Sequence, residues 1–342
     1  MSSTQRCIVL RSYPHGVPSA SNFECVERAL PELVPGQVLI ETRYLSMDPV
    51  TRMRMNAEAK PVPMALNDVV SGRGAGIVRQ SLDANFLPGD AVAGELGWQE
   101  YAVMAGPALR KVDMSLGPLQ ASLGVLGPSG IAAWCLTHAA ASVRPNETVV
   151  VTAAAGAVGS VAVQLARIAG ARAVAIVGSA SQARFARDEL GAAAVIDYSA
   201  ATLDRDLAAA CPNGVDVFLD SVGGTLHNAV MRHIAVRARI IAFGYISSYN
   251  SAPGQLAEYG SIYQLIHRRA ELRGFLVADY ASRFGEALQE LAAHLSAGRL
   301  RNFETCIDGI DNAPRAFVAL FSGEPIGKQL VRVAVTSKNG MS

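Results

Sequence analysis

The feature that most constrains the fold is a strand, a glycine turn and a helix start within residues 148–160. Thr148 and the three valines after it predict a strand that is buried on both faces, as in a parallel sheet. The turn reads Ala154-x-Gly156-x-x-Gly159, which is the dinucleotide-binding pattern G-x-G-x-x-G with alanine in the first position. Because a strand precedes the turn and a helix follows it, the stretch predicts a Rossmann dinucleotide-binding unit.

The glycines of this turn have separate physical roles. Gly156 allows the backbone to approach a pyrophosphate closely, and Gly159 allows the helix to pack on the strand. The free N–H groups at the start of the helix point at the turn and favour an anion there. The alternative is an alanine-rich αβ unit without a ligand. The predicted pyrophosphate-binding residues are Gly156, Ala157, Val158 and Gly159.

The end of the next predicted strand indicates which dinucleotide is bound. The run 172–177 ends at Gly178 and Ser179, about 20 residues past the glycine turn, where an acidic residue would bind the ribose of NAD. No acidic residue stands there, and the small side chains leave room for a 2′-phosphate. Arg184 and Arg187 on the following helix could help to hold that group, or they could form a solvated face. The pattern favours NADP(H).

Two parts of the chain differ in their pattern of elements. Up to about residue 125, short strand-like runs alternate with Pro and Gly turns, which predicts a small barrel-like β domain. From about residue 126, helices and strands alternate, which predicts an α/β fold with a doubly wound parallel sheet. We therefore predict domains at 1–125 and 126–310, with a segment at 311–342 that returns to the first domain.

Other strand ends in the second domain supply further candidate ligand contacts, since ligands bind beyond the carboxyl ends of parallel strands. Polar, glycine or aromatic residues follow three of these strands, in the runs 221–224, 243–247 and 275–277. An ordinary αβ turn is the alternative at each. The predicted cofactor contacts are Ser221, Phe243, Tyr245, Ser247, Phe275 and Val277.

Composition excludes several classes of function. A net charge of +1 over 342 residues gives no indication of nucleic acid or of an anionic membrane surface. No run reaches the roughly 18 apolar residues of a membrane span, and the N-terminus lacks an apolar signal sequence. The five cysteines are scattered and odd in number, which predicts free thiols in a reducing cytoplasm and no Cys-x-x-Cys metal site.

Motifs spread over nearly the whole chain carry a family resemblance. They are YLSMDP (44–49), GWQEY (97–101), LGVLG (123–127), AAAGAVGS (153–160), DSVGG (220–224), ISSYN (246–250), GF (274–275) and DNAP (311–314). Together they resemble the zinc-free, NADPH-dependent alkene reductases of the medium-chain dehydrogenase/reductase superfamily. The resemblance implies a GroES-like β-barrel domain beside the Rossmann domain, a homodimer, and Met47 as a cofactor contact. It also implies that no metal is needed, because the zinc branch has a Cys where residues 46–48 stand.

The resemblance also implies a reaction. NADPH delivers hydride to the β-carbon of an α,β-unsaturated ketone or aldehyde, and the resulting enolate is protonated at the α-carbon. The protein must hold the nicotinamide against the alkene and provide a donor for the carbonyl oxygen. Two alternatives on the same scaffold stay open, a quinone reductase and an enoyl-thioester reductase. A non-catalytic dinucleotide-binding protein is a third.

Some residues depart from the pattern of the alkene reductases. The phosphate-binding Lys of that family aligns with Gln182, whereas Tyr198 matches its second 2′-phosphate contact. A Tyr that binds the substrate carbonyl in several relatives aligns with His267. Tyr263 lies four residues earlier, so that both side chains are expected on one helix face. Either Tyr263 or His267 is the candidate proton donor, and a solvated basic face is the alternative.

Overall fold

Two sheets of different type organise this protein. The computed structural model describes residues 4–59, 63–251 and 262–333. Contacts divide them into one unit, made of the described residues in 1–123, 304–324 and 328–342, and a second unit at 124–303 and 325–327. The first unit contains an antiparallel sheet with one parallel pair, and the second contains a fully parallel sheet.

The first unit contains nine strands among the described residues. They are β1 (Thr4–Leu10), β2 (Phe23–Ala29), β3 (Gln37–Ser46), β4 (Gly74–Ser81), β5 (Ala91–Gly94), β6 (Tyr101–Ala105), β7 (Arg110–Lys111), β14 (Glu304–Asp308) and β15 (Lys328–Arg332). The main sheet has the order β14-β15-β3-β4-β5-β7, with β6 also paired to β3, while β1 and β2 pair separately. Helix α8 (Ala313–Val318) places Phe317 against Trp98 and Phe23 in the core of this unit.

The second unit is a doubly wound α/β structure. Its strands are β8 (Thr148–Val151), β9 (Arg172–Val177), β10 (Ala194–Asp197), β11 (Val215–Asp220), β12 (Ile234–Ala242) and β13 (Glu271–Gly274). Its helices are α1 (Pro128–Trp134), α2 (Gly159–Ile168), α3 (Ala180–Asp188), α4 (Leu203–Ala210), α5 (Gly224–Met231), α6 (Ile262–Arg268) and α7 (Phe284–Ser296). The strand order is β10-β9-β8-β11-β12-β13, and every pair is parallel. These two sheets confirm the predicted α/β class, with a Rossmann-type parallel sheet and a separate antiparallel-sheet domain.

Burial explains why β8 lies in the middle of the parallel sheet. All four of its residues are buried, as the run of valines predicts. Val150 packs with Ile176, Phe218 and Ile240 from the neighbouring strands in one core cluster. Because parallel strands end at the same edge, this arrangement brings the turns after β8, β9, β11, β12 and β13 to one side of the sheet.

The sequence pattern misses strand β14. Strand β14 is short and pairs with β15, but its partly exposed residues give no apolar run. Strand β13 ends at Gly274, so that Phe275 lies beyond it. Helix α1 continues as a π-helical segment, Cys135–Ala140. Among the described residues, the longest apolar helices are too short to cross a membrane.

Candidate functional site

The turn between β8 and α2 is closely packed at its last glycine. A Cβ on Gly159 would lie 2.3 Å from the carbonyl oxygen of Ala153, so a larger residue would displace the turn. Gly159 therefore lets the helix pack on the turn backbone itself. A Cβ on Gly156 would lie 3.2 Å from the same oxygen, which is a milder conflict. Ala153 adopts a left-handed conformation, with φ of 46°, that redirects the chain after the strand.

The start of α2 presents backbone donors. The N–H of Ser160 donates to the carbonyl of Gly156 at 2.9 Å. Within the part of the chain that the structure describes, the N–H groups of Ala157, Val158 and Gly159 donate to no protein acceptor. Helix α2 has ten residues, and its dipole adds positive potential at this end. These donors form the arrangement that binds phosphate oxygens at helix N-termini.

A segment distant in sequence supports the same turn. The N–H of Gly327 donates to the carbonyl of Ala155 at 2.8 Å, and Gly327 forms a parallel bridge with Gly156. Gly327 has φ of 70°, and a Cβ there would lie 2.0 Å from the carbonyl oxygen of Phe303. The sequence pattern does not reveal this support. The only local signal is a glycine after Pro325 and Ile326, which does not reveal its partner.

Asp220, at the end of β11, organises the adjacent strand ends. Its Oδ1 accepts hydrogen bonds from Thr152 Oγ1 at 3.0 Å and from the N–H groups of Val222 and Gly223 at 2.9 and 3.1 Å. Its Oδ2 lies 2.8 Å from Nδ1 of His227, and both side chains are fully buried. One carboxylate thus fixes the turn after β11 to the end of β8. The motif at 220–224 is visible in the sequence, but the role of its aspartate is not.

The candidate contacts after β11 and β12 are joined by hydrogen bonds. The N–H of Phe243 donates to the carbonyl of Asp220 at 2.8 Å. The carbonyl of Ser221 accepts the N–H of Ile246 at 3.0 Å. Ser247 Oγ donates to the carbonyl of Val222 at 2.6 Å. Ser221, Phe243 and Ser247 therefore lie along one edge of the sheet, as predicted for residues at adjacent strand ends.

Aromatic side chains stand beside the same edge. The Tyr245 ring packs edge-on against Tyr249, with centroids 5.0 Å apart, and burial together with Tyr245 raises the pKa of Tyr249. The N–H of Phe275 donates to the carbonyl of Ala242 at 2.9 Å, and the Phe275 ring stacks on Tyr280. Val277 begins the 3-10 segment Val277–Arg283 that follows.

The end of β9 brings together four of the predicted cofactor contacts. The Gln182 side-chain oxygen accepts the N–H of Gly178 at 3.0 Å. Ser179 caps α3, and its hydroxyl accepts the N–H of Gln182 at 3.3 Å. A Cβ on Gly178 would lie 2.9 Å from the hydroxyl oxygen of Tyr198. The Tyr198 ring therefore forms a wall directly over the glycine.

In the first unit, Met47 belongs to a buried cluster. Its side chain is 1% exposed in the core, and its N–H donates to the carbonyl of Gln329 at 3.1 Å. Its carbonyl accepts Nζ of Lys328 at 3.2 Å, and the same ammonium lies 2.6 Å from Oδ1 of Asp48. Burial acts to raise the pKa of Asp48, but Lys328, with Arg73 and Ser46, outweighs it and lowers that pKa. Any contact of Met47 with a cofactor would come from its backbone, because its side chain is enclosed.

The two candidate proton donors lie together on α6. The rings of Tyr263 and His267 are 4.0 Å apart between centroids, as their four-residue spacing predicts. Both side chains are exposed, and Tyr263 is 60% accessible. Across the described ranges, no group of three or more His, Cys, Asp or Glu side chains is arranged to hold a metal ion.

Comparison with known proteins identifies the class to which this fold and site belong. A family described as "N-terminal domain of oxidoreductase" matches residues 6–112, and one described as "Zinc-binding dehydrogenase" matches residues 157–293. The chain belongs to the medium-chain dehydrogenase/reductase superfamily and is an oxidoreductase.

Individual relatives match over nearly the full chain. YfmJ of Bacillus subtilis is 41% identical over 340 residues, which are 98% of this chain and 99% of YfmJ. The NADPH-dependent curcumin reductase of Escherichia coli is 35% identical, covering 95% of this chain and 96% of its own. The crystal structure of CurA from Vibrio vulnificus in complex with NADPH superposes with a TM-score of 0.90 at 34% identity. That alignment covers 96% of this chain and 99% of CurA.

Proposed function

We propose that this oxidoreductase uses NADPH to reduce the carbon–carbon double bond of α,β-unsaturated ketones or aldehydes. The observation that carries the proposal is the strand–turn–helix unit at 148–168, in which the amide groups of residues 157–159 donate to no acceptor among the described residues. The similarity to a curcumin reductase over nearly the full chain supports alkene reduction in particular. The CurA complex supports NADPH as the cofactor.

The residues present fit NADP(H). Replacing Gly159 by any other residue would press a Cβ into the turn, and the neighbouring amides of Ala157 and Val158 are free to bind pyrophosphate oxygens. The end of β9, with Gly178, Ser179 and Tyr198, would hold the phosphorylated ribose, because the small residues leave room there. Contacts further along the sheet edge would hold the nicotinamide half. These are Ser221, Phe243, Tyr245, Ser247, Phe275 and Val277.

Bound NADPH would supply the hydride, and the side chains of this protein would orient the substrate and polarise its carbonyl group. Reduction of an enone places negative charge on the carbonyl oxygen, which a hydrogen-bond donor must stabilise. The phenol of Tyr263 and the imidazole of His267 are the candidate donors. Their ring contact means that one could orient the other.

A homodimer is part of this proposal. Strand β13 is the last strand of the parallel sheet, and all four of its residues are exposed. Ile262, Ile266 and Leu276 are also exposed, at 72%, 68% and 63%. An open strand edge beside apolar side chains favours pairing with a second copy. Sedimentation or light scattering of the wild type and of an Ile266→Glu variant tests this, since a dimer would dissociate.

The five cysteines support a reducing compartment. Cys7, Cys135 and Cys211 are buried free thiols, and Cys25 and Cys306 are exposed free thiols. Free thiols are typical of cytoplasmic proteins. A cytoplasmic location is therefore proposed for this enzyme, and fractionation of cells that express it would test that location.

The decisive experiment compares three substrate classes. Purified protein is mixed with NADPH and a simple enone, a quinone or an enoyl-thioester, and loss of the reduced-nicotinamide absorbance is followed. The proposal expects turnover of the enone, with the saturated ketone as product by mass spectrometry. Faster turnover of the quinone or the thioester would replace the proposed substrate class. Binding of NADPH without turnover of any of them would indicate a non-catalytic binding protein.

A further inference from the structure

Gln182, which aligns with the phosphate-binding lysine of the alkene reductases, has a structural role in this protein. Gln182 is buried, and its side-chain oxygen accepts the N–H of Gly178 at 3.0 Å. Its backbone N–H is bonded to the hydroxyl of Ser179. This oxygen has no hydrogen to donate to a phosphate, and the amide group carries no charge. Gln182 therefore holds the end of β9 in place and supplies no charge for a 2′-phosphate dianion.

The solvent-exposed face of helix α3 is separate from the buried face that contains Gln182. Gln182 and Phe185 are three residues apart and both are buried, so they mark the inner face. Ser181 and Arg184 are also three residues apart, and both are exposed. The Ser181 hydroxyl lies 3.1 Å from that of Ser179. The exposed face thus carries two hydroxyl groups and then a guanidinium, in that order from the helix start.

Arg184 and Arg187 differ in whether their side chains can extend back to the N-terminal end of α3. At about 1.5 Å per residue, Arg184 lies roughly 7 Å beyond Ser179 along the axis, and Arg187 lies roughly 12 Å beyond it. Side chains on a helix lean toward its N-terminus, so the Arg184 guanidinium can return to the level of the cap, whereas Arg187 falls one turn short. Within the described residues, neither Arg184 nor Arg187 has an ion-pair partner. The first turn of α3 also contains no acidic residue.

We infer that Arg184 supplies the cation that selects NADP(H) over NAD(H), with Ser181, Ser179 and Tyr198 as the neutral donors around the 2′-phosphate. Gln182 is then a positioning residue, which acts through the Gly178 amide. Tyr198 is suited to its role because its ring lies against Gly178 and its side chain is half exposed. This inference rests on the NADP(H) site proposed above.

Equilibrium binding tests it without any substrate. Dissociation constants for NADPH and NADH are measured by calorimetry for the wild type and for Arg184→Ala, Arg187→Ala and Gln182→Ala. Loss of a charged phosphate contact weakens binding by roughly 10- to 100-fold. Arg184→Ala is expected to lose that much affinity for NADPH and to keep its affinity for NADH. Arg187→Ala, the matched control, is expected to change either constant by less than about threefold, because its charge is exposed and distant.

The Gln182→Ala variant distinguishes a positioning role for Gln182 from a direct contact with the 2′-phosphate. Gln182→Ala is expected to weaken the binding of NADPH and of NADH by similar factors, because the substitution disturbs the backbone beside the ribose that both nucleotides share. A selective loss of NADPH affinity in Gln182→Ala, or unchanged NADPH affinity in Arg184→Ala, would overturn the inference. Either result would leave the proposed function intact. If the folded wild-type protein binds neither nucleotide, the proposed function itself fails. Thermal unfolding of each variant confirms that it is folded.

Discussion

Oδ2 of Asp220 lies 2.8 Å from Nδ1 of His227, and solvent reaches neither side chain. The aspartate ends β11 and the histidine lies in α5, so the pair joins the sheet to the helix that follows it. The other oxygen of the same carboxylate holds Thr152 and the turn at 221–223. The pair therefore fixes the backbone at two of the strand ends where we place the cofactor.

Replacing Asp220 with Asn should destabilise the fold and weaken NADPH binding together. Asn keeps one oxygen to accept from Thr152 and the turn, but it replaces the oxygen that faces Nδ1 of His227 with an amide NH2, and an unsatisfied buried polar group costs about 1–3 kcal/mol. Urea unfolding and calorimetry measure the two effects. Asp216→Asn is the matched control, because Asp216 lies at the other end of β11 and an Asn oxygen can still accept the N–H of Thr148. Equal unfolding free energies for the two variants would contradict the assigned role of Asp220.

The two glycines of the turn should respond differently to alanine. Gly159→Ala forces a Cβ to within 2.3 Å of a backbone oxygen. We therefore expect the free energy of unfolding to fall by about 1–3 kcal/mol and NADPH binding to weaken as well. Gly156→Ala meets that oxygen at 3.2 Å, so it should remain nearly as stable while binding NADPH less tightly. Thermal unfolding and NADPH titration distinguish them. A Gly159→Ala protein with wild-type stability would show that the turn is less rigid than its packing indicates.

Acid should weaken the fold partly through Asp48. Its pKa lies below the ordinary value because Lys328 outweighs the effect of burial, so its contribution is complete above the unfolded-state pKa near 3.9 and is lost as the pH falls through the lower folded value. We expect the free energy of unfolding of the wild type to fall more steeply than that of Asp48→Asn between about pH 4 and pH 2. Urea unfolding at several pH values measures the slopes. Asp308→Asn, which removes an exposed partner of Arg332, is the control and should follow the wild type.

Substitution of the two rings on α6 should identify the proton donor. Removal of a general acid typically lowers the rate about 10²- to 10⁴-fold. We therefore expect Tyr263→Phe or His267→Phe to reduce kcat with the enone while the dissociation constant of NADPH stays unchanged. Both side chains are exposed, so neither change should lower the unfolding temperature. Wild-type turnover in both variants would return these rings to the solvated surface and assign the proton to solvent or to a ribose hydroxyl.

Local sequence was most informative where one short segment contains all the elements of a site. The valine strand, the glycine turn and the start of α2 follow one another within residues 148–160, so their pattern predicts burial, turn and ligand together. The alternation of strands and helices likewise predicted the parallel sheet. Strand β14 was missed because only its pairing with β15, some twenty residues later, makes it a strand.

Residue roles were harder to predict where they depend on a distant partner. Family likeness aligns Gln182 with a lysine that binds the 2′-phosphate, but only the fold shows the Gln182 oxygen bonded to Gly178. Family likeness places Met47 at the cofactor, but only the fold shows its side chain enclosed in the core and its carbonyl bonded to Lys328. Neither contact leaves a trace in local hydrophobic periodicity.

The sequence alone determined the Rossmann-type unit, the separate β domain and membership of an NADP-linked reductase family, because these follow from local propensity, periodicity and short motifs. The tertiary structure decided which of the chosen side chains are free to meet a ligand. It showed Gly327 supporting the glycine turn, Asp220 joining two strand ends, and Tyr263 and His267 exposed on α6. The physical reason is that hydrogen bonds and burial depend on neighbours in space, and such neighbours can be far apart in the chain, as the 281 positions between Met47 and Lys328 show.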